Sequence, residues 1–157
     1  MQAVKILLYG IRAIVASLEF LTIVIGMAVH SHFPSVEQGI ADVLTKDAVV
    51  QYLCFVPAAL LVWIAPCVGS VLSPDHSKRE LLSGWKERYI LKIYSLVALL
   101  YALACAGGGI YILAKWDVAH RGSWGLALTV VICVSILSAA SAYLAKYKLI
   151  EILDEMQ

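Results

Sequence analysis

The sequence predicts an all-α, polytopic membrane protein whose four transmembrane helices form one bundle. The 157 residues are 62% hydrophobic and only 15% charged, whereas soluble domains carry about 25% charged residues. Four apolar stretches are each long enough for a helix of about 20 residues, which crosses a hydrocarbon core of about 30 Å. These stretches lack the alternation of barrel strands, and a lone spanning segment satisfies its own backbone hydrogen bonds only as a helix.

The four predicted spans form a single domain over residues 1–157, at about 6–29, 48–72, 90–114 and 123–145. Their orientation follows from Lys and Arg, because these residues are enriched in short cytoplasmic flanks. One side of the spans has Lys5, Arg12, Lys78, Arg79, Lys86, Arg88, Lys92, Lys146 and Lys148, and the other has Lys46, Lys115 and Arg121. We therefore expect both termini and the middle loop in the cytoplasm (N-in, C-in), with the chain in a plasma or inner membrane, or alternatively in an organellar one.

Short amphipathic helices are predicted at both membrane surfaces. Residues 35–46 form an outer surface helix, for which Ser35 is the expected N-cap. The cytoplasmic connection 73–89 carries basic residues that can contact anionic lipid headgroups: Lys78, Arg79, Lys86 and Arg88. The helical tail 146–157 keeps an apolar stripe of Leu149, Ile152, Leu153 and Met156. That stripe needs a cover, either the chain's own middle loop or a partner subunit.

Glu19 is the most informative residue, because it lies within the first predicted span. A charge at bilayer depth costs about 2.5–3.5 kcal/mol, so its carboxylate should face the bundle and find a partner. Arg12 lies two helical turns earlier on the same face, and span four offers Ser135, Ser138 and Ser141. Three roles are open: a structural hydrogen bond between helices, proton- or cation-linked transport, or pairing with a basic residue of another subunit.

Two further patterns concern the shape and packing of the helices. Pro57 and Pro66 are expected to kink the second span, because each removes one backbone hydrogen bond. Small residues four apart allow helices to approach closely in lipid. Two such pairs predict packing seams in spans three and four: Ala104 with Gly108, and Ser138 with Ala142.

The chemistry-bearing residues do not assemble into a known catalytic motif. His30, His32 and His120 fall at the predicted outer face and are only weak metal ligand candidates, so we predict no metal and no cofactor. No nucleophile elbow, phosphate loop or paired intramembrane carboxylates occur. A net charge of +1 gives no basic field for nucleic acid.

The leading functional hypothesis is a non-catalytic integral membrane subunit or interaction protein. It would be an accessory subunit, an assembly factor or a sensor- or immunity-type partner that packs against other membrane proteins or its own copies. The alternative is an oligomeric channel or a proton- or cation-linked transporter that uses Glu19 and the kinked second span. A third hypothesis, a membrane enzyme on a lipid or quinone, predicts a cavity of that size with polar groups converging on it.

Overall fold

The computed structural model describes residues 13–14, 16–44, 47–74, 85 and 88–155 of the chain. Within these ranges the protein is entirely helical, which confirms the predicted all-α class. The helices are α1 (Leu18–His32), α2 (Pro34–Val43), α3 (Asp47–Leu72), α4 (Arg88–Lys115) and α5 (Arg121–Glu155), with a 3₁₀ turn at Val118–His120 before α5.

Three of these helices, α3, α4 and α5, are long and apolar enough to cross a membrane. They correspond to the second, third and fourth predicted spans. The predicted end of the fourth span near residue 145 is not a helix end, because α5 continues without interruption to Glu155. Its 35 residues give it a length of about 52 Å at 1.5 Å per residue.

The first predicted span differs from the single helix expected over residues 6–29. The backbone of Ser17 is extended, and α1 begins only at Leu18. The 15 residues of α1 measure about 22 Å, which is less than the hydrocarbon thickness of about 30 Å. The helix then runs past Val29 to His32, where Phe33 separates it from α2.

A core of three mutually packed helices, α3, α4 and α5, carries α1 and α2 on its flank. α1 packs along α5, and α2 packs across the first turns of α5. The central cluster is built mainly of small side chains: Ile64, Cys67, Val68, Ala98, Ala102, Ala139 and Ala142. We call the end of the bundle with His30 and His120 the histidine end, and the end with Lys146 and Lys148 the lysine end.

The outward surface of the three long helices is apolar as well. Less than half of each apolar window is buried within the bundle, and large side chains such as Val62 (75% exposed) and Leu144 (63% exposed) point away from it. Helices that are hydrophobic on all sides are typical of a membrane environment. The structure therefore supports a membrane protein.

The surface helix α2 starts differently from the prediction. Pro34 occupies its first turn and Phe33 is the N-cap, with no side-chain cap hydrogen bond, so Ser35 lies inside the helix. Proline is favoured at the first helical position, where its missing N–H is not needed. In α2, Ile40 is partly buried and Val43 is 79% exposed, and Leu44, which follows the helix, is buried.

Candidate functional site

The chain breaks its helical path just before α1, and the freed backbone groups are bonded locally and across the bundle. Ser17 Oγ accepts a hydrogen bond from the Phe20 N–H at 3.1 Å, as an N-cap does. Ser17 Oγ also donates to the Ile14 carbonyl oxygen at 2.8 Å. The hydroxyl of Tyr101, on α4, donates to the same carbonyl oxygen at 3.3 Å. The break is therefore held by a side chain 87 residues away in sequence.

Glu19 lies in the first turn of α1, directly after this break. It is only 4% exposed, and its Oε1 accepts a hydrogen bond from Ser141 Oγ of α5 at 2.9 Å. The N-terminal N–H groups of a helix favour a negative charge in that first turn. Glu19 thus has two compensating features, a hydroxyl donor and a helix N-terminus. Arg12, the predicted ion-pair candidate, lies outside the described residues.

The contact with Ser141 also shows which end of α5 lies beside Glu19. Ser141 is 20 residues after Arg121 but only five before Lys146. These separations correspond to about 30 Å and about 7.5 Å along α5. Glu19 therefore lies nearer the lysine end of α5 than the histidine end.

The other hydroxyls that the sequence offered to Glu19 are used differently. Ser135 Oγ donates to the Val131 carbonyl oxygen at 2.7 Å, and Thr22 Oγ1 donates to the Leu18 carbonyl oxygen at 2.8 Å. Ser138 is fully buried, and its hydroxyl has no hydrogen-bond partner among the described residues.

At the histidine end, one carboxylate joins three helices. Nδ1 of His30, near the end of α1, lies 2.5 Å from Oε1 of Glu37 on α2. The other carboxylate oxygen of Glu37 accepts a hydrogen bond from Ser123 Oγ of α5 at 3.0 Å. The hydrogen bond from His30 lowers the pKa of Glu37, and the bond from Ser123 acts in the same direction. Ser123 donates to the carboxylate and not to the imidazole, whereas the serine of a catalytic triad donates to the imidazole.

Close backbone packing supports this junction. A Cβ on Gly122 would lie 2.8 Å from the carbonyl oxygen of Glu37, and one on Gly125 would lie 2.6 Å from Ile40 Cγ2. Both glycines are in the first turns of α5. Their missing side chains let α2 lie directly on α5, which brings Glu37 within reach of Ser123.

A second imidazole–carboxylate pair lies beside the first. Nδ1 of His120 is 3.1 Å from Oδ2 of Asp117, and Oδ1 of Asp117 accepts the Ala119 N–H at 3.0 Å. His32, the third candidate ligand, is exposed. Within the described part of the chain, no three His, Cys, Asp or Glu side chains come together in a way that could hold a metal ion.

An open groove of about 1020 Å³ runs between α1 and α5 towards this end. Its walls are mostly apolar, and the lining includes Val24, Met27, Ala28, Trp124, Leu126 and Val130. Its polar lining residues are His30, Ser31, His120 and Ser123. The polar groups of this groove are therefore gathered at one end.

The two prolines of the second predicted span do not divide it, since α3 continues through Pro57 and Pro66 as one helix.

The small residues of α4 differ in what they face. Gly109 allows α4 to approach α3, because a Cβ there would lie 2.5 Å from the Cys54 carbonyl oxygen. Ala104 is instead exposed, and Gly108 would meet only Val131 at 3.5 Å. The seam of α4 within the chain therefore follows Ala98, Ala102, Cys105 and Gly109, while Ser138 and Ala142 of α5 are both buried.

The apolar stripe of the C-terminal tail is largely covered by the chain itself. Leu149 and Leu153, each 5% exposed, form a cluster with Val71 and Ala145, against which Trp85, Leu91 and Ile152 pack. The sequence left open whether the stripe is covered by the chain's own middle loop or by a partner subunit. For these two leucines, the structure shows that residues of the chain itself cover them.

Of the basic residues predicted to contact lipid headgroups, Arg88 begins α4 and has a buried Nε without a hydrogen-bond partner among the described residues. Lys78, Arg79, Lys86 and the side chain of Met156 lie outside the described part.

Comparison with known proteins gives no relative from which a role could be transferred. The chain matches no protein-family model, and it has no significant match among curated proteins or solved structures.

Proposed function

We propose that the chain is a non-catalytic subunit of a membrane protein complex and that the outward face of α4 contacts the transmembrane helix of another subunit. In this proposal the chain spans the membrane four times, with both termini in the cytoplasm, in a plasma or inner membrane. The first span, over residues 6–29, is then broken at Ser17. Basic residues at the lysine end, Arg88 among them, would contact anionic lipids.

The observation that carries the proposal is the glycine at position 107. Glycine in a helix interior costs about 1 kcal/mol relative to alanine, so a glycine in α4 needs a reason. For Gly109 the reason is the Cys54 carbonyl oxygen, whereas a Cβ on Gly107 would meet nothing within 4 Å. Gly107 and Ala104 are both exposed, and they are flanked by Leu100 and Leu103, which are 53% and 50% exposed.

Such a face suits a neighbouring apolar helix. In lipid, small residues let two helix backbones come close enough for van der Waals packing, which is a main source of helix association there. Leu100 and Leu103 would add contacts on the N-terminal side of the closest approach. A lipid chain alone gives no reason for a glycine at this position, because it adapts to alanine equally well.

The test is the composition of the native particle, purified in lipid nanodiscs and analysed by mass spectrometry. We expect a stoichiometric second polypeptide with the wild-type chain and its loss from Gly107→Ile and Ala104→Ile. Ala59→Ile, at an exposed position of α3, is the matched control and should retain the second polypeptide. A wild-type particle that contains one copy of this chain and only lipid would overturn the proposal.

A second candidate, a proton- or cation-linked transporter, is favoured by one observation. A helix break next to a buried carboxylate is a feature of membrane transport sites, where broken helices expose backbone groups to a substrate. Glu19→Gln keeps a hydrogen-bond acceptor for Ser141 but cannot carry a charge. Flux through proteoliposomes that disappears in this variant, with assembly unchanged, would support transport, and absence of flux in the wild type would reject it.

A further inference from the structure

We infer that the groove between α1 and α5 binds one zwitterionic phospholipid from the leaflet at the histidine end. The acyl chains would lie along the apolar walls, and the headgroup would contact the imidazole–carboxylate pairs at the mouth. This groove is distinct from the α4 face of the proposed function, so the lipid site and the subunit contact can be tested independently.

The distribution of polarity in the groove matches an amphipathic ligand. The walls away from the mouth are apolar on both helices, while His30, Ser31, His120 and Ser123 are at the end nearest the first turn of α5. Binding sites for small molecules typically combine an apolar lining with a few polar groups that fix orientation. Here the polar groups are at one end only, as a lipid with a headgroup and chains requires.

The length of the groove favours a lipid over a helix. It extends from Val24 to Ser31 on α1 and from Ser123 to Val130 on α5. Each stretch rises about 10 Å, whereas one leaflet of a 30 Å hydrocarbon core is about 15 Å deep. The groove therefore stays within one leaflet. A transmembrane helix needs contact over a longer path, and only about two of its turns would fit.

The imidazole and carboxylate groups at the mouth of the groove favour a zwitterionic headgroup. Nδ1 of His30 contacts Glu37, and Nδ1 of His120 contacts Asp117. The second ring nitrogen, Nε2, is then the one left for a ligand. His30 and His120 are accessible, with side chains 62% and 71% exposed. When its imidazoles are protonated, the mouth offers groups of both signs, which complement a phosphate and an ammonium together, whereas an anionic headgroup would face two carboxylates.

The experiment counts lipids retained by the protein. The full chain is reconstituted with equal amounts of phosphatidylethanolamine and phosphatidylglycerol of identical acyl chains, extracted with mild detergent and examined by native mass spectrometry. We expect one retained lipid, with phosphatidylethanolamine in excess. Ala28→Phe should abolish retention by filling the groove, and Val24→Phe is a second filling variant in case the first does not fold. Ala59→Phe, on the exposed surface of α3, is the control and should retain the lipid.

A mouth variant separates the headgroup from the chains. His120→Ala removes one imidazole but leaves the apolar walls, so we expect a retained lipid with the preference for phosphatidylethanolamine reduced. Equal retention by the wild type and by both filling variants would refute the groove as the site. Equal retention of the two headgroups by the wild type would refute the zwitterionic class. A polypeptide retained in place of lipid, and lost in Ala28→Phe, would identify the groove as a helix site and also overturn the inference.

Discussion

The run of three glycines in α4 gives the sharpest test of the packing, because three adjacent residues have three different surroundings. A Cβ on Gly107 would meet nothing within 4 Å, one on Gly108 would meet Val131 Cγ2 at an ordinary 3.5 Å, and one on Gly109 would lie 2.5 Å from the Cys54 carbonyl oxygen. The perturbation is the replacement of each glycine, one at a time, by alanine. All three changes add the same single methyl group to the same helix.

The expected free energies differ because only one methyl group clashes. Alanine in place of glycine stabilises a helix interior by about 1 kcal/mol, and this gain is common to all three variants. Overpacking a core by one methyl group costs about 1–3 kcal/mol. This cost falls on Gly109→Ala alone, since the atom it meets belongs to the backbone of α3. We therefore expect Gly107→Ala and Gly108→Ala to be as stable as the wild type or more so, and Gly109→Ala to be less stable than either.

The assay is reversible unfolding in mixed detergent micelles, followed by tryptophan fluorescence. The difference in unfolding free energy between Gly107→Ala and Gly109→Ala is the decisive quantity, because the helix-propensity gain cancels in it. We expect about 1–3 kcal/mol. Equal stabilities for these two variants would show that α3 and α4 do not approach each other at Cys54 and Gly109, and the described packing would be refuted.

Three further predictions concern other contacts. Ser141→Ala leaves the buried Glu19 carboxylate without its hydrogen-bond donor. The unfolding free energy should therefore fall by about 1–3 kcal/mol in the same assay. Ser141→Thr keeps a hydroxyl and should have the stability of the wild type. The pKa of Glu37 is lowered in the folded protein. Its stabilising contribution is therefore present above its ordinary pKa of about 4.5 and is lost as the pH falls through the lower, folded value. A pH series of thermal stability should show this loss, and the pH dependence should be weaker in Glu37→Gln. Leu153→Ala should destabilise by about 2–5 kcal/mol because it opens a cavity, whereas Ile150→Ala, at a 46% exposed position, should change stability much less.

The long apolar helices could be predicted from the sequence because their signal is local. About 20 consecutive apolar residues identify a span whatever surrounds it, and α3 begins at Asp47 and ends at Leu72, close to the predicted limits. The break before α1 was not predicted. Neither glycine nor proline marks Ser17, and the Ile14 carbonyl oxygen is bonded by Tyr101, a tertiary contact. A serine followed two residues later by Glu19 was the only available signal, since serine is a favoured N-cap and acidic residues are favoured in a first turn.

The sequence predicts which types of residue form the candidate site, but not which of them contact each other. The sequence required a hydrogen-bond partner for Glu19 and offered three serines on one helix, but only the relative position of α1 and α5 selects Ser141. For the same reason, a four-residue spacing of small residues could not show which side of α4 faces the bundle. Ala104 fits the spacing but is exposed. The junction of His30, Glu37 and Ser123 joins three helices, and no pattern along the chain predicts it.

The uninterrupted length of α5 links the two ends of the molecule mechanically. Its first turns carry Ser123 and one wall of the groove, and its last turns carry Leu149 and Leu153, which are clamped against Val71, Trp85 and Leu91. No described residue between Arg121 and Glu155 interrupts the helix. We therefore expect that a tilt or rotation of α5 at the lysine end would change the width of the groove at the histidine end.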